Sequence, residues 1–329
     1  MKLKQWLTIW LDKYQKNTIK IRTYSSYQNL ITIHINPILG DYELNQLDSS
    51  ILQDYVDNKI EHGNLINGKG LSTNSILAIT SILKNSLKLA LKLDLIEKDY
   101  FSVLSVPYFK QKEIDAFSIK DQKKIENYCL SLKKDNYFGI ILCLYTGIRI
   151  GELLSLTWND IDFKKRLLNI RHTLTRVKQN KQATTIFDEP KTRKSKRIIP
   201  LSPSLISYLK VIKSRSTSIY VVSTRTNNFV SIRNYQRTYK RLLNRCHVSY
   251  KNFHALRHTF ATRALESGID IKTLSELLGH TSATITLNRY AHSMLNYKIM
   301  MMDKLGKLLV WLLLTLHSPY QLIICQQKC

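Results

Sequence analysis

The stretch FHALRHTFATRALESGIDIKTLSELLGHTSATITLNRY, Phe253 to Tyr290, carries most of the reactive side chains of a 329-residue chain. His254 and Arg257 stand three apart with His258 beside them, and Phe260, Ala261, Ala264 and Leu265 continue at helical spacing. Positions three apart share a helix face, so the imidazole and the guanidinium are expected to point the same way. A guanidinium is a planar fork of donors that suits phosphate oxygens, and phosphate is the expected ligand. Ile271, Leu274, Leu277 and Leu278 mark a second helix, with Gly279 placed to end it. His280 follows at that end, and Tyr290 lies ten residues further on.

Composition points the same way. Lys and Arg total 50 against 24 Asp and Glu, a formal net charge of +26. Such an excess repels itself unless a polyanion neutralises it, which predicts nucleic acid as partner; the competing reading is a merely basic, solvated surface. The length suggests about two domains of ~150 residues. Cys129, Cys143, Cys246, Cys325 and Cys329 are odd in number and scattered, without a CxxC pair, which fits a reducing, cytoplasmic setting rather than a zinc or disulfide framework. The opening MKLKQWLTIWLDKY interleaves charge with apolar residues and has no signal-peptide core. His254 and His258 are four apart, but no nearby carboxylate or cysteine completes a metal set, so no metal is expected.

Upstream, Trp6, Ile9, Trp10 and Tyr14 fall on one helical face, and a second helix from about Thr23 is predicted to end near Pro37. Asp48-Ser49-Ser50 offers an N-cap for Ile51 to Glu61, and Ser72 one for a long helix to about Leu93 that turns Ile76, Ile79, Leu83, Leu87 and Ala90 inward. The expectation is a small helical bundle over residues 1–106, with an apolar stripe that is core rather than functional surface. Lys20, Arg22, Lys84, Lys88 and Lys92 on its polar side are candidate phosphate contacts, each singly also readable as a solvated charge. A polar run around Pro107 reads as a linker over 107–116.

Beyond it, Ser118 and Asp121 form a capping-box pattern. The apolar run Tyr137 to Thr146 reads as a buried helix delivering Gly147, Ile148 and Arg149 at its end. Arg149 with Glu152 predicts a buried cation fixed by a carboxylate; a purely structural ion pair is the competing reading. Leu167 to Thr173, Thr184 to Phe187 and Arg197 to Leu201 have the β-branched content of short strands, with Lys191 on the connection before the last. Ser202 and Pro203 start another helix, Ile219 to Val222 reads as a further strand, and Ser231 to Cys246 as a helix bearing Arg233, Arg237, Lys240, Arg241 and Arg245.

HALRH (His254 to His258), LLGH (Leu277 to His280), NRYAH (Asn288 to His292), TGIRIGELLSL (Thr146 to Leu156) and PKTRKSKRIIPL (Pro190 to Leu201) all occur in the chain. Together, and in their order along it, they resemble the boxes of the tyrosine recombinase, or phage integrase, family over roughly Trp6 to His292; one box alone is a weak signal, the set in order a strong one. The resemblance implies a mainly α fold with a small antiparallel β-sheet. It implies a helical core-binding domain at 1–106 and a mixed α/β catalytic domain at 117–297, with no room for an accessory N-terminal domain.

The resemblance also implies the chemistry. Tyr290 attacks a DNA phosphodiester to give a 3′-phosphotyrosyl link, Arg149 and Arg257 hold the phosphate, and His254 and His280 donate hydrogen bonds or handle the tyrosine proton. Lys191 protonates the leaving 5′ oxygen from a minor-groove hairpin, with Lys194 and Lys196 as alternates. Tyr297 is the fallback nucleophile. Lys84, Lys88, Arg237 and Arg241 are the DNA-binding candidates. No metal, ATP or other cofactor is expected. The implied partners are double-stranded DNA with paired recombination half-sites, three further copies in a homotetramer, and a directionality factor, in the integration or excision of a mobile element. Two rivals share the fold: a type IB topoisomerase-like nicking-closing enzyme, and a catalytically compromised DNA-binding remnant. The tail 298–329 resembles no part of the family over Val310 to Cys329. Its apolar core is short of the ~20 residues of a membrane helix, and it reads either as a docking segment for a neighbouring protomer or as a frame-shifted gene end.

Overall fold

The structure, a computed structural model, describes residues 1–102, 104–106, 116–131, 137–179, 182–188, 196–290, 298–299, 301–307 and 309, and the side chains of these except 176–179, 182–186 and 288–290. The chain divides into two compact units, one of Met1–Lys112 with Arg176–Thr184 and one of Glu113–Thr175 with Thr185–Cys329.

In the first unit, α1 (Leu3–Ile9) runs into a π-helical stretch, Trp10–Gln15, and α2 (Ile21–Leu30) into another, Ile31–Ile35, followed by α3 (Asn36–Leu39), α4 (Ser49–His62) and α5 (Thr73–Lys92). The caps are the expected ones: Ile51 N–H donates to the Asp48 carboxylate at 2.8 Å and Ser75 N–H to the Ser72 hydroxyl at 3.3 Å. Ile76, Ile79, Leu83, Leu87 and Ala90 are all buried, and the buried Trp6 donates its indole N–H to the Ser86 carbonyl at 3.1 Å. One boundary differs from expectation. The helix does not end before Pro37; Asn36 stays in the right-handed helical region, and Pro37 occupies the first turn of α3. The wide π turn delivers the chain there, and a first-turn position asks for no amide hydrogen that proline lacks.

From Ile119 on, the chain forms α6 (Ile119–Ser131), α7 (Phe138–Thr146), α8 (Ile150–Ser155), β1 (Ile161–Asp162), β2 (Leu167–Ile170), β3 (Thr173–Gln179), β4 (Gln182–Asp188), β5 (Arg197–Pro200), α9 (Pro203–Arg215), α10 (Ile232–Arg245), α11 (His254–Glu266), α12 (Ile271–Leu278) and α13 (Ala283–Tyr290), all in the second unit except the Arg176–Thr184 part of β3 and β4. Asp121 N–H donates to Ser118 Oγ at 3.1 Å at the start of α6. α7 is buried along its length except at Tyr145, because α6, α8 and α11 all pack on it. β1, β2 and β5 form an antiparallel sheet with Leu168 opposite Ile199 and Ile170 opposite Arg197, while β3 and β4 form a separate ribbon. β5 also packs against α12.

The strands depart from the sequence expectation in two places. The predicted Leu167 to Thr173 strand breaks at Arg171 and His172, so its two ends belong to different sheets. Ile219 to Val222 is not a strand: only Tyr220 makes an isolated bridge, to Thr157, since burial of Val221 and Val222 sets the apolar pattern there without a ladder. Among the described residues no helix is long and apolar enough to cross a membrane.

Candidate active site

α12 ends in a turn that organises the whole site. The last carbonyls of an α-helix have no partner within the helix and carry the negative end of its dipole. Gly279 adopts the left-handed conformation at φ 64°, which lets its N–H reach the Glu276 carbonyl and the His280 N–H the Ser275 carbonyl, both at 3.0 Å. The next three carbonyls are taken by arginines from three different elements. Arg197 Nε donates to Leu277 O at 2.6 Å, Arg257 Nη2 to Leu278 O at 2.7 Å, and Arg149 Nη2 to Gly279 O at 3.3 Å.

Arg149 is the N-cap residue of α8. Its own N–H donates to Glu152 Oε2 at 2.9 Å and its Nη1 to Oε1 at 2.8 Å. The expected buried cation is therefore corrected: the Arg149 side chain is 36 % exposed, and the Glu152 carboxylate, at 3 %, is the buried member. A cap position puts the guanidinium at the surface end of the helix while the carboxylate one turn on faces the core. Arg197, to which the sequence pattern assigns no role, completes the pair. At 6 % exposure it forks onto Glu152, Nη1 to Oε1 at 3.1 Å and Nη2 to Oε2 at 2.9 Å. Burial alone would push the Glu152 carboxyl up. The Arg197 charge and hydrogen bonds, then those of Arg149, outweigh it and hold the group at about 2.

Arg257 lies on α11 and is 2 % exposed, with Nη1 donating to the Gly147 carbonyl at 2.9 Å. Gly147 itself sits at φ 65°, where an added Cβ would lie 2.4 Å from the Phe260 ring and 2.9 Å from Leu278. The fork of Arg257 thus ties the end of α7 to the end of α12. His254 makes its ring contact with His258, centroids 4.8 Å apart. His280 Nδ1 and the buried Thr286 Oγ1, on α13, are hydrogen bonded at 2.7 Å, which orients the ring. α13 packs on α12 and has Tyr290 as its last residue; the Tyr290 side chain, Lys191 and Lys194 lie outside the described residues. So do Tyr297 and the tail from Val310, while Lys196 is exposed.

The structure therefore brings Arg149, Arg257 and His280 to one helix end, adds Arg197 and Glu152, and places His254 at the start of α11. Lys84 and Lys88 are exposed one turn apart on α5. Arg237 and Arg241 are exposed one turn apart on α10, whose other face buries Tyr235, Tyr239, Leu242 and Leu243. The only signal for Arg197 in the sequence is alternation: it stands two residues before buried Ile199 on the same strand face.

Family models match in two places: the phage integrase family over residues 109–296, and the phage integrase N-terminal SAM-like domain over residues 2–60. A tyrosine recombinase XerC-like protein of Caldanaerobacter subterraneus subsp. tengcongensis is 31% identical over 92% of this chain and 82% of its own length. The transposase from transposon Tn916 of Enterococcus faecalis is 29% identical over 52% of this chain, a match that spans 46% of that protein. Among solved structures, the Tn1549 transposon integrase in complex with transposon right end DNA superposes with a TM-score of 0.78 at 24% identity, covering 93% of this chain and all of that one. A lambda integrase dimer bound to a core site gives 0.66 at 21% identity, covering 87% of this chain and 97% of that one. With its motifs, its mainly helical fold and these matches, the chain belongs to the phage integrase family of tyrosine recombinases.

Proposed function

We propose that this protein is a site-specific DNA recombinase that cleaves and rejoins DNA through a 3′-phosphotyrosine, integrating or excising a mobile element. The supporting observation is the fan of guanidiniums at the end of α12, beside His280 and on the helix pair that carries Tyr290. In this reading Tyr290 Oη attacks the scissile phosphorus and the P–O5′ bond breaks. The tyrosine proton passes to a histidine, His254 or His280, and Lys191 gives a proton to the departing 5′ oxygen. Arg149 and Arg257 face the nonbridging oxygens as negative charge builds on them. A 5′ hydroxyl of a partner strand reverses the step, and the retained phosphoester makes ATP unnecessary.

The core-binding domain is residues 1–106, the linker 107–116 and the catalytic domain 117–297, with the tail 298–329 outside both. Lys84, Lys88, Arg237 and Arg241 contact backbone phosphates. Four copies in the cytoplasm assemble on two duplexes with paired half-sites, and a directionality factor sets the outcome. The test is SDS trapping of a covalent complex on a supercoiled plasmid carrying the DNA that flanks the gene, in the presence of EDTA. Trapped protein and joint molecules support the reading; relaxation without strand exchange points instead to a topoisomerase, and magnesium-dependent cleavage without an adduct contradicts it.

A further inference from the structure

The three arginines of the α12 terminus differ in depth. Arg149 is partly exposed, whereas Arg197 commits all three of its donor nitrogens to the protein: one to Leu277 O and two to the Glu152 carboxylate. Its place is set by β5. Ile199 faces the core, so Arg197 two residues earlier does too, and pairing with Ile170 across the sheet fixes its height. The Gly279 Cα lies so near that a Cβ there would sit 3.0 Å from Arg197 Cδ and Nη1. Arg197 is thus a rigid strut between the carboxylate that orients Arg149 and the turn that places Arg257 and His280.

We propose that Arg197 is a positioning residue for DNA cleavage, holding Glu152 and the Leu277 carbonyl so that Arg149, Arg257 and His280 converge on one phosphate; this rests on the recombinase reading above. The buried carboxylate needs a cationic partner in any event. What a bare counter-charge does not supply is geometry: a planar fork holds Glu152 at two points while its third nitrogen reaches the helix end, and a lysine ammonium does neither together.

The experiment compares full-length wild type, Arg197→Lys and the double variant Glu152→Gln/Arg197→Gln. Rates of SDS-trapped adduct are measured on the plasmid described above, noncovalent binding by gel shift on a fragment of it, and the His280 imidazole resonances by NMR without DNA. For Arg197→Lys we expect unchanged binding, a thermal midpoint lowered by a few degrees because buried hydrogen bonds are lost, a shifted His280 resonance, and adduct formation slowed about tenfold to a hundredfold, the scale of a ~1 Å misplacement. The double variant removes the buried charge together with its partner, so it is the folded comparison should the lysine variant unfold, and its cleavage stays depressed. Wild-type cleavage by either folded variant, or an unmoved His280 resonance, overturns the proposal. No adduct from wild type would instead sink the recombinase reading itself.

Discussion

Arg257 Nη2 donates to the Leu278 carbonyl at 2.7 Å, and through that bond the residue that presents the guanidinium also fixes the helix end that presents His280. Nη1 reaches the Gly147 carbonyl, so one buried side chain joins the turns after α7 and α12. The candidate site is thereby built at helix ends, those of α7 and α12 each closed by a left-handed glycine.

Replacement of Arg257 by lysine should show this double duty. A lysine keeps the charge but reaches one carbonyl, leaving the other buried and unpaired at a cost of about 1–3 kcal/mol. DNA affinity should change little, while adduct formation falls by about a hundredfold or more. Wild-type cleavage by Arg257→Lys would make the residue a generic phosphate contact.

The Glu152 carboxyl gives a pH signature. Burial raises it, but Arg197 and Arg149 prevail and leave it at about 2. A depressed folded pKa contributes stability that is present above the ordinary carboxylate range and lost as pH falls toward about 2. The contribution is on the order of 3 kcal/mol. In Glu152→Gln, acid unfolding followed by circular dichroism should depend less steeply on pH between about 4.5 and 2, by up to one proton. Identical slopes would show that the carboxylate is not held ionised.

Gly279→Ala should destabilise the second unit. The left-handed conformation costs a residue with a Cβ about 1–2 kcal/mol, and that Cβ would press on Arg197 at 3.0 Å. A midpoint several degrees lower, with cleavage reduced, is expected in differential scanning calorimetry; an unchanged midpoint contradicts the tight packing of Arg197 on this turn.

Much of this was legible in the residues because the signals are local. Asp48 and Ser72 cap the helices they precede, α5 buries the stripe its spacing predicts, and Gly279 ends α12 as its position demands. The Arg149 and Glu152 pair is visible at a separation of three. Arg197 was not, because its partners lie 45 and 80 residues away in sequence and only the register of β5 on β2 turns it inward. The strand break at Arg171 was hidden for a similar reason: which sheet a β-branched run joins is decided by pairing, not propensity.

Binding should separate from catalysis through salt. Removing one cation that neutralises a phosphate reduces the slope of log affinity against log salt by about 0.9. Lys84→Ala and Arg241→Ala, at exposed positions on α5 and α10, should each flatten the slope by about that amount and leave the cleavage rate of bound complex unchanged. Unaltered slopes would remove these side chains from the DNA interface.

The central claim is that Tyr290 is the nucleophile. Wild type and Tyr290→Phe are incubated with a nicked suicide duplex from the DNA flanking the gene, denatured, digested, and the nucleotide-bearing peptide sequenced by mass spectrometry. The account predicts a single adduct on the Tyr290 peptide of the wild type, and from Tyr290→Phe an undiminished gel shift with no adduct. A nucleotide found on Tyr297 or any other residue, or persistent trapping by the phenylalanine variant, would contradict it.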